Sequence, residues 1–357
     1  MMKGDSIFPP GTKILVTGAN GYIASHVISI LLDLGLHVRG TVRTSKPWLE
    51  AYFQRPDKPD IFETVVVPDL VAPDALDLVL EGISGIVHLA NHMSFTANPH
   101  AISRAQDMNV NILETAKNHK TVRRVVLTSS SCAAFYPTVN GLATVDHDSW
   151  NEYAVQTALH QSCPPEMLAF IVHGACKVQA ERESWKWMEQ NHHPFVLNTV
   201  LPYWTVGMTP WPTRVCLLIG VSLQLGKILH PQIGGSSMSW MKGILQGDTS
   251  AFQLPPQWFV DVEDVARLHV VALLSDQVQA ERLFAFASPF TWADIVHLLR
   301  KLQPDNPLIP APPKNAERIW NNIPPVARAE GLLQDAFGRA GWTSLEESLA
   351  AGVRSLA

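Results

Sequence analysis

The chain has 357 residues, 46% hydrophobic and 17% charged, with a formal net charge of −5. That length buries a large core, and the absence of any lysine or arginine block argues against a nucleic-acid partner. The polar start, the lack of an apolar run of membrane-spanning length and four cysteines without a CxxC pair predict a reduced, cytoplasmic protein with no structural zinc and no membrane partner.

Lys13–Thr17 is a short apolar run that stops at glycine, the signature of a buried strand. Residues 22–34 have helical spacing, and Gly35 ends them. Further strands are expected at His37–Val42, 63–67, 85–89 and Arg124–Thr128, with helical stretches at 73–81 and 102–118. Strands alternating with helices predict a parallel sheet covered on both faces. Pro165–Gln190 reads as one long helix and 196–201 as a sixth strand. Residues 203–258 are rich in Trp, Met, Gly and Pro and have no clean period. Residues 259–274 return to a strand-like start and a helix, and the proline-dense 304–313 leads to terminal helices.

After the first strand, Gly18-Ala19-Asn20-Gly21-Tyr22-Ile23-Ala24 has the spacing G-x-x-G-x-x-A. Glycines between a strand and a helix let the backbone approach a pyrophosphate, which sits where amide hydrogens and the helix dipole favour anions. The bland alternative is a tight turn with no ligand. An NAD site usually carries an acid at the end of the second strand. Here that end reads Arg39-Gly40-Thr41-Val42-Arg43-Thr44-Ser45-Lys46. Arg43 can clamp a 2′-phosphate, with Lys46 as a second charge, so NADP(H) is the expected cofactor. A solvated basic edge is the alternative.

The phosphate loop is accompanied by Thr41-Val42-Arg43, Val67-Pro68-Asp69-Leu70, Val87-His88-Leu89-Ala90 and Val126-Leu127-Thr128-Ser129-Ser130. Lys177 is followed by Ala180-Glu181 and Trp185, and Phe259-Val260-Asp261-Val262-Glu263-Asp264-Val265-Ala266 comes later. With these motifs the chain resembles the extended short-chain dehydrogenase/reductases. Within them it looks like the dihydroflavonol reductase, cinnamoyl-CoA reductase and fungal aldehyde/ketone reductase group. The resemblance covers about residues 13–274, with a looser echo at 341–347. It implies an α/β fold, a Rossmann-type doubly wound parallel sheet (1–202 plus 258–275) with a smaller C-terminal substrate lobe (203–257 plus 276–357). It implies cofactor contacts at Gly18, Asn20, Gly21, Tyr22, Ile23, Arg43, Lys46, Asp69, Leu70, Ala90, Lys177 and Pro202. Ser130 would bond the substrate carbonyl and Lys177 the nicotinamide ribose.

Two departures fall inside the implied active site. Four residues before Lys177 the family places a tyrosine, and this chain has His173. After Ala90 the family often has Ser/Thr-Pro, and this chain has Asn91-His92-Met93-Ser94-Phe95. Asn91, His92 and Phe95 in that loop, Tyr136, and Trp204 and Met208, which directly follow the segment beside the nicotinamide, are the candidate substrate contacts.

Hydride addition to a carbonyl needs a donor at the oxygen and a proton source. His173 and Lys177 share a helix face, and histidine titrates near neutrality. Against a simple swap, imidazole falls short of a phenol's reach by roughly 2 Å, from bond lengths alone. Lys177 and burial should also lower its pKa. His173 is either an acid/base group or a packing residue. His88 reads as a satisfied core histidine. The leading reading is an NADPH-dependent reductase of a bulky apolar ketone or aldehyde in specialised metabolism. It would act on a small molecule, as a monomer or homodimer, with catalytic residues Ser130, His173 and Lys177. The alternatives are a non-redox isomerase, dehydratase or cyclase on the same scaffold, and a silent NADP-binding subunit.

Overall fold

The computed structural model describes Met2 and residues 6–55, 60–72, 74–91, 96–136, 144–203, 224–233, 236–253, 257–314 and 321–356. The larger sheet is built from β1 (Lys13–Thr17), β2 (His37–Val42), β3 (Phe62–Val66), β4 (Gly85–His88), β5 (Arg124–Thr128), β6 (Val196–Pro202) and β9 (Arg282–Ala285). Their order is β3-β2-β1-β4-β5-β6-β9, and each pair runs parallel.

Strand side chains alternate between faces, so consecutive apolar residues feed two different cores. Val16, Val87, Val126 and Val200 pack against α1 (Tyr22–Asp33) and α8 (Val262–Leu274). Their neighbours Leu15, Ile86, Val125 and Leu127 pack on the other side against α3 (His100–Asn118) and α6 (Pro165–Gln190). Each fully buried Val, Leu or Ile contributes about 1.5–3 kcal/mol over leaving it exposed. Double-sided burial is why these strands read as unbroken apolar runs.

A smaller sheet joins β10 (Ser288–Phe290), β8 (Gln257–Asp261) and β7 (Gln224–Leu225). It shares a second core with α7 (Ser236–Leu245), α9 (Trp292–Leu302) and α11 (Leu345–Leu356). Met238 and Met241 are fully buried there, so part of the Trp- and Met-rich segment is plain core. Two bonds pin α1 to this region: Tyr22 donates its hydroxyl to the Gly226 carbonyl at 2.8 Å, and His26 Nε2 lies 2.7 Å from the Lys227 carbonyl.

Two expectations need correction. The helix expected at 73–81 is a run of turns over 74–82. Asp74 sits at φ +58°, a left-handed conformation that a helix does not admit. Leu76, Val79, Leu80 and Ile83 are nevertheless buried, which explains the helix-like spacing. Residues 282–285, counted with the smaller lobe from sequence, are the edge strand β9 of the larger sheet. Ala329, Leu332 and Leu333 of α10 (Pro325–Phe337) join the core on that side.

Candidate active site

The chain leaves β1 toward β2 and β3 and returns to β4 on its other side. This reversal opens a crevice at the strands' carboxyl ends, where open α/β sheets bind ligands. Thr17, the last residue of β1, organises it. Its Oγ1 accepts the N–H groups of Leu89 and Ala90, each at 3.0 Å. With both lone pairs used, its one proton goes to His88 Nδ1, 2.9 Å away. His88 is then neutral with its proton on Nε2; burial, and secondarily the Lys177 charge, push its pKa down to about 3. Among the described residues Nε2 is buried without a hydrogen-bond partner, so His88 is a core histidine satisfied there on one side only.

Gly18 has φ +67°, and a Cβ there would stand 3.1 Å from the Ala90 Cα. At Gly21 a Cβ would stand 3.1 Å from the Gly18 carbonyl oxygen. Only glycines let the loop lie this close to its neighbours and leave the α1 N-terminus open. The first turn of α1 carries no acid, so nothing there opposes an anion. The resulting cleft, about 340 Å³, is walled by Gly18, Asn20, Gly21, Arg43, Asp69, Leu70, Ala90 and Asn91. Arg43 is exposed at its edge and has no ion-pair partner among the described residues.

The remaining expected cofactor residues are placed differently. Tyr22 turns its ring into the second core, leaving only its backbone at the loop. Ile23 packs between the two cores. Lys46 stands at the N-cap of α2 (Pro47–Phe53), off the cleft wall, and Pro202 pairs with Ala285 at the end of β6. Sequence reasoning missed Arg104 on α3, which lines the cleft and donates to Asp69 Oδ1 at 2.9 Å. A helix residue facing a distant loop leaves no local signal.

Ser130 and Lys177 converge at the end of β5. Ser130 is buried and caps α4 (Ser131–Ala134). Its Oγ accepts from the Cys132 N–H at 3.4 Å and the Cys132 thiol at 3.1 Å. Burial pushes that thiol up to about 12, which keeps it a donor. Lys177 Nζ donates to the Thr128 carbonyl at 3.2 Å, two residues before Ser130. Burial pulls the ammonium below its ordinary value, opposed by Cys132, Cys176 and Glu181. His173 lies one turn earlier on the same helix, buried; burial first, then the Lys177 charge, lower it to about 3. A cavity of about 20 Å³, room for roughly one water, adjoins Asn91, Asn109, Ser129, Lys177 and Glu181.

Tyr136 packs at 4.7 Å and a 53° tilt against Tyr153 of α5 (Glu152–His160), and its hydroxyl is buried with no hydrogen-bond partner among the described residues. Burial raises it well above an ordinary phenol. His92, Phe95, Trp204 and Met208 lie outside the described residues. Among the described residues no helix is long and apolar enough to cross a membrane.

The sequence pattern of the NAD dependent epimerase/dehydratase family matches residues 14–163. The ketoreductase adrE of Penicillium roqueforti is 46% identical over 352 residues, covering 97% of each chain. The chain belongs to the NAD-dependent epimerase/dehydratase family. Another similar relative is the ketoreductase nvfG of Aspergillus novofumigatus, 43% identical over 358 residues and 99% of each chain. The fold matches that of the yeast methylglyoxal/isovaleraldehyde reductase Gre2 complexed with NADPH. Its TM-score is 0.75 at 23% identity, covering 96% of this chain and 98% of that one. As a member of this family, the chain is an enzyme of the reductase kind that uses a nicotinamide cofactor.

Proposed function

We propose that the enzyme is an NADPH-dependent carbonyl reductase acting on a bulky apolar ketone or aldehyde, and that it works in the cytoplasm. The observation that carries this reading is the cleft at the β1/β4 reversal, with Arg43 on its wall and, beyond Ala90 and Asn91, Lys177 bonded to the Thr128 carbonyl two residues before Ser130. The cleft's glycine cradle fits a dinucleotide pyrophosphate, and Arg43 fits a 2′-phosphate. The ketoreductase names of relatives at 43–46% identity favour carbonyl reduction over isomerisation, dehydration or cyclisation.

A bound nicotinamide would supply the hydride. The protein's task is to steady and protonate the oxygen on which charge develops. Both acceptor positions of Ser130 Oγ are filled by Cys132, so its own proton is left to donate. Lys177, with one ammonium hydrogen on the Thr128 carbonyl, would have the others left for ribose hydroxyls. His173, uncharged at neutral pH, is no proton reservoir. A neutral imidazole can release one N–H proton only as it gains another at its second nitrogen. The reservoir is then the Lys177 ammonium or water, with His173 as the relay.

Cofactor choice tests the reading first. NADPH should bind at least about tenfold tighter than NADH in calorimetry, about 1.4 kcal/mol, and Arg43→Ala should remove most of the difference. Equal affinities in the wild type would contradict NADPH as the cofactor.

A further inference from the structure

Glu181 lies on α6 one turn beyond Lys177 and two beyond His173, and is 3% exposed. A carboxylate that deep is costly unless its lone pairs are bound. Oε2 accepts the Ser129 hydroxyl at 2.6 Å, and Oε1 accepts the Thr199 hydroxyl at 2.8 Å. Arg282 of β9 reaches both oxygens, Nε to Oε1 at 2.9 Å and a terminal nitrogen to Oε2 at 3.3 Å. Arg282 is itself fixed: it donates to the carbonyls of His147 and Ser149 and lies 4.0 Å over the Trp150 ring. Apolar groups in these positions would fill the same space without desolvating an ion pair, so stability alone does not account for the arrangement. What the carboxylate orders is the turn after β5. The Ser129 backbone N–H bonds the Val200 carbonyl at 2.8 Å, its hydroxyl bonds Glu181, and the next residue is Ser130.

We propose that Glu181 is a positioning residue for the reductase reaction. Through the Ser129 hydroxyl it fixes the turn that presents Ser130, on the helix that carries Lys177, and Arg282 locks it in place. This inference rests on Ser130 and Lys177 working as the proposed function assigns them.

The test uses the full-length enzyme with NADPH and a panel of aliphatic and aromatic ketones and aldehydes, the fastest serving as the probe. Ser129→Ala removes the tether and little else. Its kcat should fall about tenfold, with the probe's KM and NADPH affinity within about twofold of wild type. Glu181→Gln should lower kcat at least as far, and adding Ser129→Ala to it should cost nothing more, the non-additivity expected of two groups acting through one contact. Thr199→Val deletes another bond to the same carboxylate without touching the turn, so it should lower the melting temperature and spare kcat. Should Glu181→Gln fail to fold, Ser129→Ala against Thr199→Val still decides. Wild-type kcat in Ser129→Ala, additive losses, or an equal kcat loss in Thr199→Val would overturn the inference while leaving the reductase reading intact. A wild type that binds NADPH yet reduces no carbonyl would overturn both.

Discussion

A histidine held near pKa 3 is uncharged across the whole range in which a neutral-pH enzyme works. Its loss should therefore show as lost proton relay, without a shifted titration. His173→Ala should cost about 10²- to 10⁴-fold in turnover while NADPH affinity stays nearly unchanged. Between pH 5 and 8 the wild-type kcat/KM should show no inflection that His173→Ala removes; such an inflection near 6.5 would mean that the imidazole titrates in the site. His173→Tyr supplies a phenol beside the Lys177 ammonium, so turnover should hold or rise; a collapse would mean that the pocket is shaped to the imidazole. Much at this scale was legible. The family resemblance singled out Ser130, which follows the apolar strand β5, and Lys177, which sits on the long helix α6. Arg282 was not legible, because its partner Glu181 lies 101 positions away and no spacing rule connects them. Arg104 facing Asp69 is hidden for the same reason.

Among the elements, β1, β2 and β5 fall where the apolar runs place them, at Lys13–Thr17, His37–Val42 and Arg124–Thr128. Central parallel strands are buried on both faces, and short β-branched runs ending at polar or glycine residues mark them without ambiguity. Residues 74–82 defeat the same logic. Their apolar spacing answers to a core, but the backbone at Asp74 turns left-handed, and periodicity carries no information about φ. The edge strand β9 escaped because four residues, all buried, give no alternation to read, and only its pairing with β6 identifies it. The glycine loop lies between β1 and α1, where its spacing put it, yet the side chains of Tyr22 and Ile23 serve packing. A motif fixes where the backbone goes more firmly than where each side chain points.

For the whole molecule, buried neutral histidines set the acid limit. His88 and His173 are lowered to about 3 and His269 to about 4, each chiefly by burial. The unfolded chain takes up these protons near pH 6.5 while the native state refuses them. The stability they confer is complete above that value and is lost as pH falls toward 4. Asp261, raised to about 6 by burial, opposes this by binding its proton more readily in the native state. His26 is lowered by burial as well, so the histidines outweigh Asp261. Stability should thus fall as pH goes from roughly 6 to 4.5. Urea titrations at stepped pH measure it, and a flat profile over that interval would mean that these imidazoles are protonated in the native state.

The central claim, that this chain moves a hydride from NADPH to a carbonyl carbon, is tested most directly with nicotinamide-4-deuterated NADPH. The enzyme is incubated with both C4 labels in turn and the panel of ketones and aldehydes, and the alcohol is analysed by mass spectrometry and NMR. One of the two labels should deliver one deuterium to the former carbonyl carbon, with NADP⁺ formed in equal amount. Product formed without deuterium from either label, or without oxidation of the cofactor, would contradict the reductase reading and leave non-redox chemistry on the same scaffold.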